Sequence, residues 1–353
     1  MTDRENYLRT ASLSGGAWIP SSVHVSGASW MMLREQAEEV LANHPTLFPD
    51  FQKGRHDYEH WQHGPAYRQD ELCTDNWGCV WDNLWGGLEG QVKVHPLASD
   101  AAFDTYRAPD PLLKSERGER GDWRQIRANV EAARERGEPT VGYADRFYER
   151  VHFLRGFERL MIDFATEPPA LPRLIDIVFE HNMRLIRQLV EVGFDVITFG
   201  DDFGTQTAAM MSPATFDRWL APSYSKMMDP CREAGIHVYF HSDGYIMELM
   251  DSLLRCGVSI INPQDLCNGI DDLAREVKGR VCISLDIDRQ KIIPFGTRRE
   301  IRELIKQEVM TLGSPRGGLM FIAGIYPPTP AENLDALCCA LEEFRTYWWD
   351  GRG

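Results

Sequence analysis

The sequence predicts an α/β fold, a (β/α)8 TIM barrel carrying an irregular, aromatic-rich N-terminal extension. Three observations carry this expectation. From about residue 139 onward, apolar runs of strand length alternate with amphipathic helical patterns. Three successive runs end in polar tips, GDD at Gly200–Asp202, HSD at His241–Asp243 and NPQ at Asn262–Gln264. In addition, 353 residues, 43% of them hydrophobic, suffice for one large core rather than two equal domains. Parallel strands joined by right-handed helical crossovers deliver their C-terminal residues to one face, and in a barrel that face carries the site. Polar residues also end strands in any fold, so the tips have a bland reading as ordinary loop starts.

Residues 1–111 read as an extension or lid packed on the barrel, and residues 112–353 as the barrel itself. The extension shows one helical pattern, WMMLREQAEEVLANHP, stopped by Pro45. Further on, Trp77, Trp81 and Trp85 recur at spacing four inside TDNWGCVWDNLWGGLEGQVKVHP. Such a stripe packs a core or a hairpin; the alternative is a lid whose indoles, Trp81 among them, wall a pocket for an apolar or aromatic substrate. Gly86, Gly87 and Gly90 favour a turn between strands over a continuous helix.

KSERGERG, residues 114–121, reads as a solvated loop, WRQIRANVEAARERG as a helix and PTVGYAD as the first barrel strand. In the helical segment that follows, Glu149 and His152 lie three apart and share a face. The central run GFDVITFGDD comes next. Ser212 and Pro213 then open a helix, since serine caps orphan amides and proline has no amide to lose at the first position. Strands IHVYF, VSIINPQ, RVCISLD and GGLMFIAG follow, with helices between them and a final helix AENLDALCCALEEFRTYWW.

A net charge of −15 opposes binding to nucleic acid or to an anionic membrane surface. No apolar run reaches membrane-span length, and MTDRENYLRTAS lacks the pattern of a signal peptide, so the expected location is cytoplasmic. The eight cysteines then read as reduced thiols, and without a Cys-x-x-Cys pair they offer no thiolate knuckle.

GDDFGTQ, SPATFDRWLAP, HSDGYI, NPQ, IDRQ, PFGT and PPTPAEN together resemble the uroporphyrinogen decarboxylase superfamily over roughly residues 139–344. The resemblance implies a distorted barrel and one of two chemistries: decarboxylation of a tetrapyrrole without cofactor, or methyl transfer with a corrinoid-linked carrier and zinc. The decarboxylases resemble one another at an arginine-rich N-terminal signature, MRQAGRY, which this chain lacks. Decarboxylation is therefore the runner-up. The methyltransferase branch carries His-x-Cys and a distant second Cys as zinc ligands. Here His241 matches the histidine, Asp243 stands at the first cysteine, and Gly324-Ile325 stands where the second is expected. Exchanging thiolates for oxygen gives a harder donor set, suited to an oxygen-bearing substrate.

The resemblance thus implies a methyltransferase that starts O-demethylation. It would take methyl from a methoxylated aromatic compound and pass it to Co(I) of a partner corrinoid protein, with no nucleic acid or membrane partner. Methyltransferases of this kind carry a zinc pattern Glu-x14-Glu-x20-His, which Glu116, Glu131 and His152 match. The expected catalytic residues are His241, Asp243 and Asp202, and the expected metal ligands His241, Asp243 and His152. Gln206, Asn262 and Asp288 would orient the substrate, with Tyr326 at the rim and Trp81 beside it. A catalytically inert ligand-binding barrel is the alternative of a different class.

Overall fold

The structure is a computed structural model that describes residues 1–353, the side chain of residue 65 excepted. It divides into two compact units, one of residues 1–64, 86–88 and 261–353, the other of residues 65–85 and 89–260. The strands, in chain order, are β1 (Ser21–Val25), β2 (Leu72–Thr74), β3 (Val80–Asp82), β4 (Gln91–Val94), β5 (Val141–Tyr143), β6 (Val196–Gly200), β7 (His237–Ser242), β8 (Ile260–Pro263), β9 (Cys282–Asp286) and β10 (Leu319–Ile325).

In the first unit the order is β1-β10-β9-β8. β1 and β9 both run parallel to β10, with Val23 opposite Ala323 and Phe321 opposite Leu285. Every residue of β8 and β9 is buried. That pattern belongs to parallel strands covered on both faces by helices. In the second unit β5, β6 and β7 are parallel neighbours, and β2-β3-β4 form a separate antiparallel sheet. Helices connect the parallel strands throughout, the organisation expected of a TIM-barrel-like α/β fold. Among the described residues no helix is long and apolar enough to cross a membrane.

Local sequence accounts for most element ends. The helix Ala170–Val192 buries Leu171, Leu174, Ile175, Val178, Leu185, Ile186 and Leu189, a three-and-four spacing that makes one apolar face. It stops at Gly193, whose φ of 85° is the left-handed conformation glycine adopts without a Cβ clash. Two residues on, the buried Asp195 carboxylate accepts from the amide and hydroxyl of Thr140, each at 3.0 Å, and so ties the start of β6 to the start of β5. Ser212 caps the helix Pro213–Trp219 through the Thr215 amide, with Pro213 in the first turn, as its sequence predicts. Thr297 and Glu300 form a reciprocal capping box at the helix Arg298–Leu312.

The N-terminal region departs from its reading. The single helix expected there is two, Gly27–Leu33 and Glu35–Asn43, broken at Arg34 with φ of 50°, and a further helix, Asp3–Ala11, precedes them. The stretch taken as irregular also contains β1 to β4. These strands are three to five residues long, too short to show an alternation that differs from a loop.

Candidate functional site

The site assembles in the unit that holds β5, β6 and β7. Because β6 and β7 are parallel and in register, with Gly200 opposite His241, the residues just beyond their C-terminal ends fall side by side. Along β7 the residues alternate, with Val238, Phe240 and Ser242 buried and His241 on the other face. Two glycines then bring the tips into contact. A Cβ on Gly204 would lie 2.4 Å from the Tyr245 amide nitrogen, and one on Gly244, where φ is 79°, would lie 2.3 Å from the Gly204 carbonyl carbon. No other residue permits this approach. The Phe203 amide donates to Ser242 Oγ at 3.0 Å, and the Gly204 amide donates to the Asp243 carbonyl at 3.2 Å.

This lock sets three side chains together. His241 Nε2 is 3.3 Å from Asp243 Oδ1 and 3.8 Å from Asp202 Oδ1. Asp202 Oδ1 also accepts from the Asp243 amide at 3.0 Å. The three side chains are 31–40% exposed, so solvent and a ligand can reach them. One ligand atom from each lies within 4.8 Å of the others, a spacing that one metal ion can bridge. Burial raises the pKa of Asp202, and the nearby Asp243 carboxylate raises it further against the pull of His241.

Beneath the cluster, Asp201 is buried and accepts from the Phe147 amide at 3.0 Å, the Glu149 amide at 2.7 Å and the Tyr224 hydroxyl at 2.6 Å. Burial pushes its pKa up to about 6, with those hydrogen bonds opposing. Asp201 therefore fixes the start of the helix Tyr148–Arg155 against the tip of β6. That helix carries Glu149, whose carboxyl burial pushes up to about 8; Arg146, 3.1 Å away, opposes the shift, while Asp202 and Asp201 add to it. Glu149 is thus a carboxylic acid near neutral pH, electrostatically coupled to the cluster.

Arg146 meets both oxygens of Glu89 at 2.8 Å and lies 3.3 Å from Glu116. Glu116 also pairs with Arg150 at 2.9 Å and with Arg117 at 3.6 Å, and Arg150 pairs with the buried Asp75 at 2.8 Å. Glu131 is exposed on the helix Trp123–Glu135. His152 sits among the rings of Tyr148, Phe153 and Phe157, and burial, with Arg146 next, lowers its pKa to about 3. None of these three belongs to the donor group of Asp202, His241 and Asp243.

The other expected residues have these surroundings. Gln206 is exposed at the apex of the loop after β6, where the Thr205 amide donates to the Ala208 carbonyl. Trp81 is 1% exposed; its indole N–H donates to Asp75 at 2.9 Å, Phe153 meets it edge-on, and the Arg117 guanidinium lies 4.1 Å above its ring. Trp77 is also buried, whereas Trp85 is 70% exposed. Asn262, Asp288 and Tyr326 belong to the unit of β1, β8, β9 and β10. There the Asn262 amide donates to the Ser284 carbonyl at 2.5 Å, and Asp288 accepts from the amides of Gln290, Lys291 and Ile292. Tyr326 lies under the Arg289 guanidinium at 5.3 Å.

Sequence reasoning passed over Asp201, Arg146, Glu89 and the acid role of Glu149. A signal for Glu149 was present, since it shares a helix face with His152 just after the tip of β5. Its partner pairs were not visible, because Glu89 and Arg146 are 57 residues apart.

A family model described as uroporphyrinogen decarboxylase (URO-D) matches residues 152–344. The chain is similar to the uroporphyrinogen decarboxylase of Thermus thermophilus, 24% identical over 219 residues that make up 58% of this chain and 60% of that protein. It is also similar to methylcobamide:CoM methyltransferase MtaA of Methanosarcina barkeri, 26% identical over 180 residues, 48% of each chain. The chain thus spans about half to three fifths of the length of the curated relatives it matches. A solved methyltransferase from Methanosarcina mazei shares the fold, with a TM-score of 0.68 at 19% identity, covering 98% of this chain and 99% of that one.

Proposed function

We propose that this chain, which belongs to the uroporphyrinogen decarboxylase (URO-D) family, works as a corrinoid-linked methyltransferase that starts O-demethylation. Its substrate would be a methoxylated compound, most simply an aromatic one, and the acceptor Co(I) in the corrinoid of a partner protein. The likeness to MtaA supports the methyl-transfer side of the family. The observation that carries the reading is the cluster of Asp202, His241 and Asp243, an all nitrogen-and-oxygen donor set at a solvent-reachable strand tip.

The residues fit a zinc ion. Their donor atoms lie within 4.8 Å of one another, and the Asp243 repulsion that adds to burial in raising Asp202 is what a divalent cation relieves. Asp202, His241 and Asp243 would hold it, and a bound zinc would supply Lewis acidity toward the ether oxygen. In the transfer the methyl C–O bond breaks and its electron pair stays on oxygen. Burial, the largest cause of the raised Glu149 pKa, persists when zinc is held by the cluster, and Glu149 gives that oxygen its proton and is recharged from solvent. The methyl group passes to Co(I), which supplies the electron pair of the new bond. Asp201 holds the helix of Glu149 in place. Such reduced-cobalt chemistry belongs in the cytoplasm, in keeping with eight free cysteines.

Decarboxylation is the second reading, favoured by the decarboxylase relatives. It needs arginines available to a polyanion. Arg146, Arg150 and Arg117 are instead engaged by Glu89, Glu116 and Asp75. The deciding experiment supplies purified protein, zinc and chemically reduced cobalamin with a panel of methoxylated aromatics and follows cobalt methylation by absorbance. Methylation with one donor class supports the proposal. No methylation with any donor, together with carbon dioxide release from a porphyrinogen, replaces it by the decarboxylase.

A further inference from the structure

A second group of donor atoms lies wholly within the unit of β1, β8, β9 and β10: His44, Asp335 and Cys339. The helix Ala331–Phe344 presents Asp335, Cys339 and Glu342 at i, i+4 and i+7, one stripe of its surface. His44, buried at the end of the helix Glu35–Asn43, faces that stripe. Its Nδ1 is 2.9 Å from Glu342 Oε2 and its Nε2 is 3.3 Å from Asp335 Oδ1. Cys339 Sγ lies 3.9 Å from Asp335 Oδ2.

A ring nitrogen that faces a carboxylate oxygen needs a cation between the two lone pairs, either a proton or a metal ion. In the metal-bound form the Nδ1 side is answered by the ring's own N–H, donated to Glu342. That bond selects the tautomer whose Nε2 carries a lone pair, the arrangement in which a carboxylate orients a metal-binding histidine. On the Nε2 side an oxygen and a sulfur converge with the nitrogen. Arg298 sits on Asp335 Oδ2, the oxygen that Cys339 Sγ also approaches, and reaches Cys339 as well, so with a metal-bound thiolate one cation stands against the three anions Asp335, Cys339 and Glu342. The two negative charges left over match one divalent ion. Sulfur in the set favours zinc over magnesium or calcium, and the exposure of Cys339 leaves room for water as a fourth ligand.

We propose that His44, Asp335 and Cys339 form a zinc site, oriented by Glu342, that fastens the helix Glu35–Asn43 to the helix Ala331–Phe344. It is independent of the methyl-transfer reading. It differs from the Asp202, His241 and Asp243 cluster in containing sulfur, and the test uses that difference. Full-length protein, stripped of metal and kept reduced, is titrated with cobalt(II) and read by near-ultraviolet absorbance. The expected result is a thiolate-to-cobalt charge-transfer band that zinc abolishes, that Cys339→Ser lacks and that His241→Ala retains. Glu342→Gln should keep the band with affinity weakened about 10- to 100-fold. Zinc should also raise the melting temperature of His241→Ala but not of the His241→Ala, Cys339→Ser double variant. A wild type without the band, or a band that survives in Cys339→Ser, overturns the proposal and leaves a proton-bridged His44–Asp335 pair in its place.

Discussion

The strand tips of the two units look alike in sequence and differ in what their polar groups do. At β8 and β9, Asn262 donates to the Ser284 carbonyl, Asp288 collects three loop amides, and Asp265 accepts from the Asp288 amide at 2.9 Å. At β6 and β7, Asp202, His241 and Asp243 face one another within reach of solvent, and burial, with the Asp243 carboxylate next, raises the pKa of Asp202. The first kind of tip gives most of its oxygens to backbone donors, and its neighbouring carboxyls, Asp265 and Glu308, are buried; the second gathers two carboxylates and an imidazole where solvent reaches them. A polar residue after a strand is therefore no sign of a site until its partners are known. The useful distinction is whether the ionisable side chains gathered there are open to solvent or buried among themselves and main-chain amides.

The sharpest way to break this comparison is His241→Ala. If the β6–β7 tip is chemical, the variant should lose about a hundred- to ten-thousand-fold in methyl transfer while its melting temperature stays near that of the wild type. Asp243→Cys refines the result. It restores a thiolate ligand and should retain or tighten zinc if the cluster is metallic; loss of activity with unchanged metal content would assign proton chemistry instead. Full activity in His241→Ala makes the HSDG tip a structural turn like its counterparts.

Glu149→Gln comes next, with a loss of about a hundredfold and an altered pH profile. The wild-type rate should fall as pH rises through about 8, where the Glu149 proton is lost, and Gln should remove that limb. Stability moves the same way. The folded-state pKa lies above the ordinary carboxyl value, so the native protein holds a proton that the unfolded chain releases, and stability declines between roughly pH 4.5 and 8. Melting curves across that range should be flatter for Glu149→Gln. An unchanged alkaline limb would move the proton donor to another group.

Asp288→Ala tests the other side of the comparison. Loss of a carboxylate that caps loop amides should cost about 1–2 kcal/mol of stability. The rate per folded molecule should hardly change. A variant that folds normally but loses activity would make Asp288 a substrate residue, as its position after β9 first implied.

The parts of this fold that were legible in the sequence are those set locally. Ser212 with Pro213, the alternating apolar runs of β6 to β10 and the glycine-bounded turn of the tryptophan block each follow from neighbours a few residues away. The site was legible only as far as strand register extends, which brought Asp202 to His241. The acid character of Glu149 depends on burial and on Arg146, and Arg146 in turn is held by Glu89 from a distant loop. Likewise β1 becomes a strand because β10 offers it a partner 300 residues away, a fact that no window of sequence contains.

The smallest expected effect concerns the three tryptophans, which separate in the same way as the tips. Trp77 and Trp81 are enclosed, with Arg150 5.1 Å from the first ring and Arg117 4.1 Å from the second, so they are packing residues. Trp85 is 70% exposed, four residues before the Glu89 that Arg146 grips, and Arg146 also holds Glu149. Its exposed indole is thus linked to the site helix through the Glu89–Arg146 ion pair and the contact of Arg146 with the Glu149 carboxyl. An aromatic contact is worth about 0.5–1.5 kcal/mol, which sets a rise in KM of roughly 2- to 12-fold for an aromatic substrate in Trp85→Ala. Stability should stay within about 0.5 kcal/mol, since the side chain leaves little buried surface behind. A KM that does not move in Trp85→Ala confines the whole stripe to packing and leaves the lid without a tryptophan.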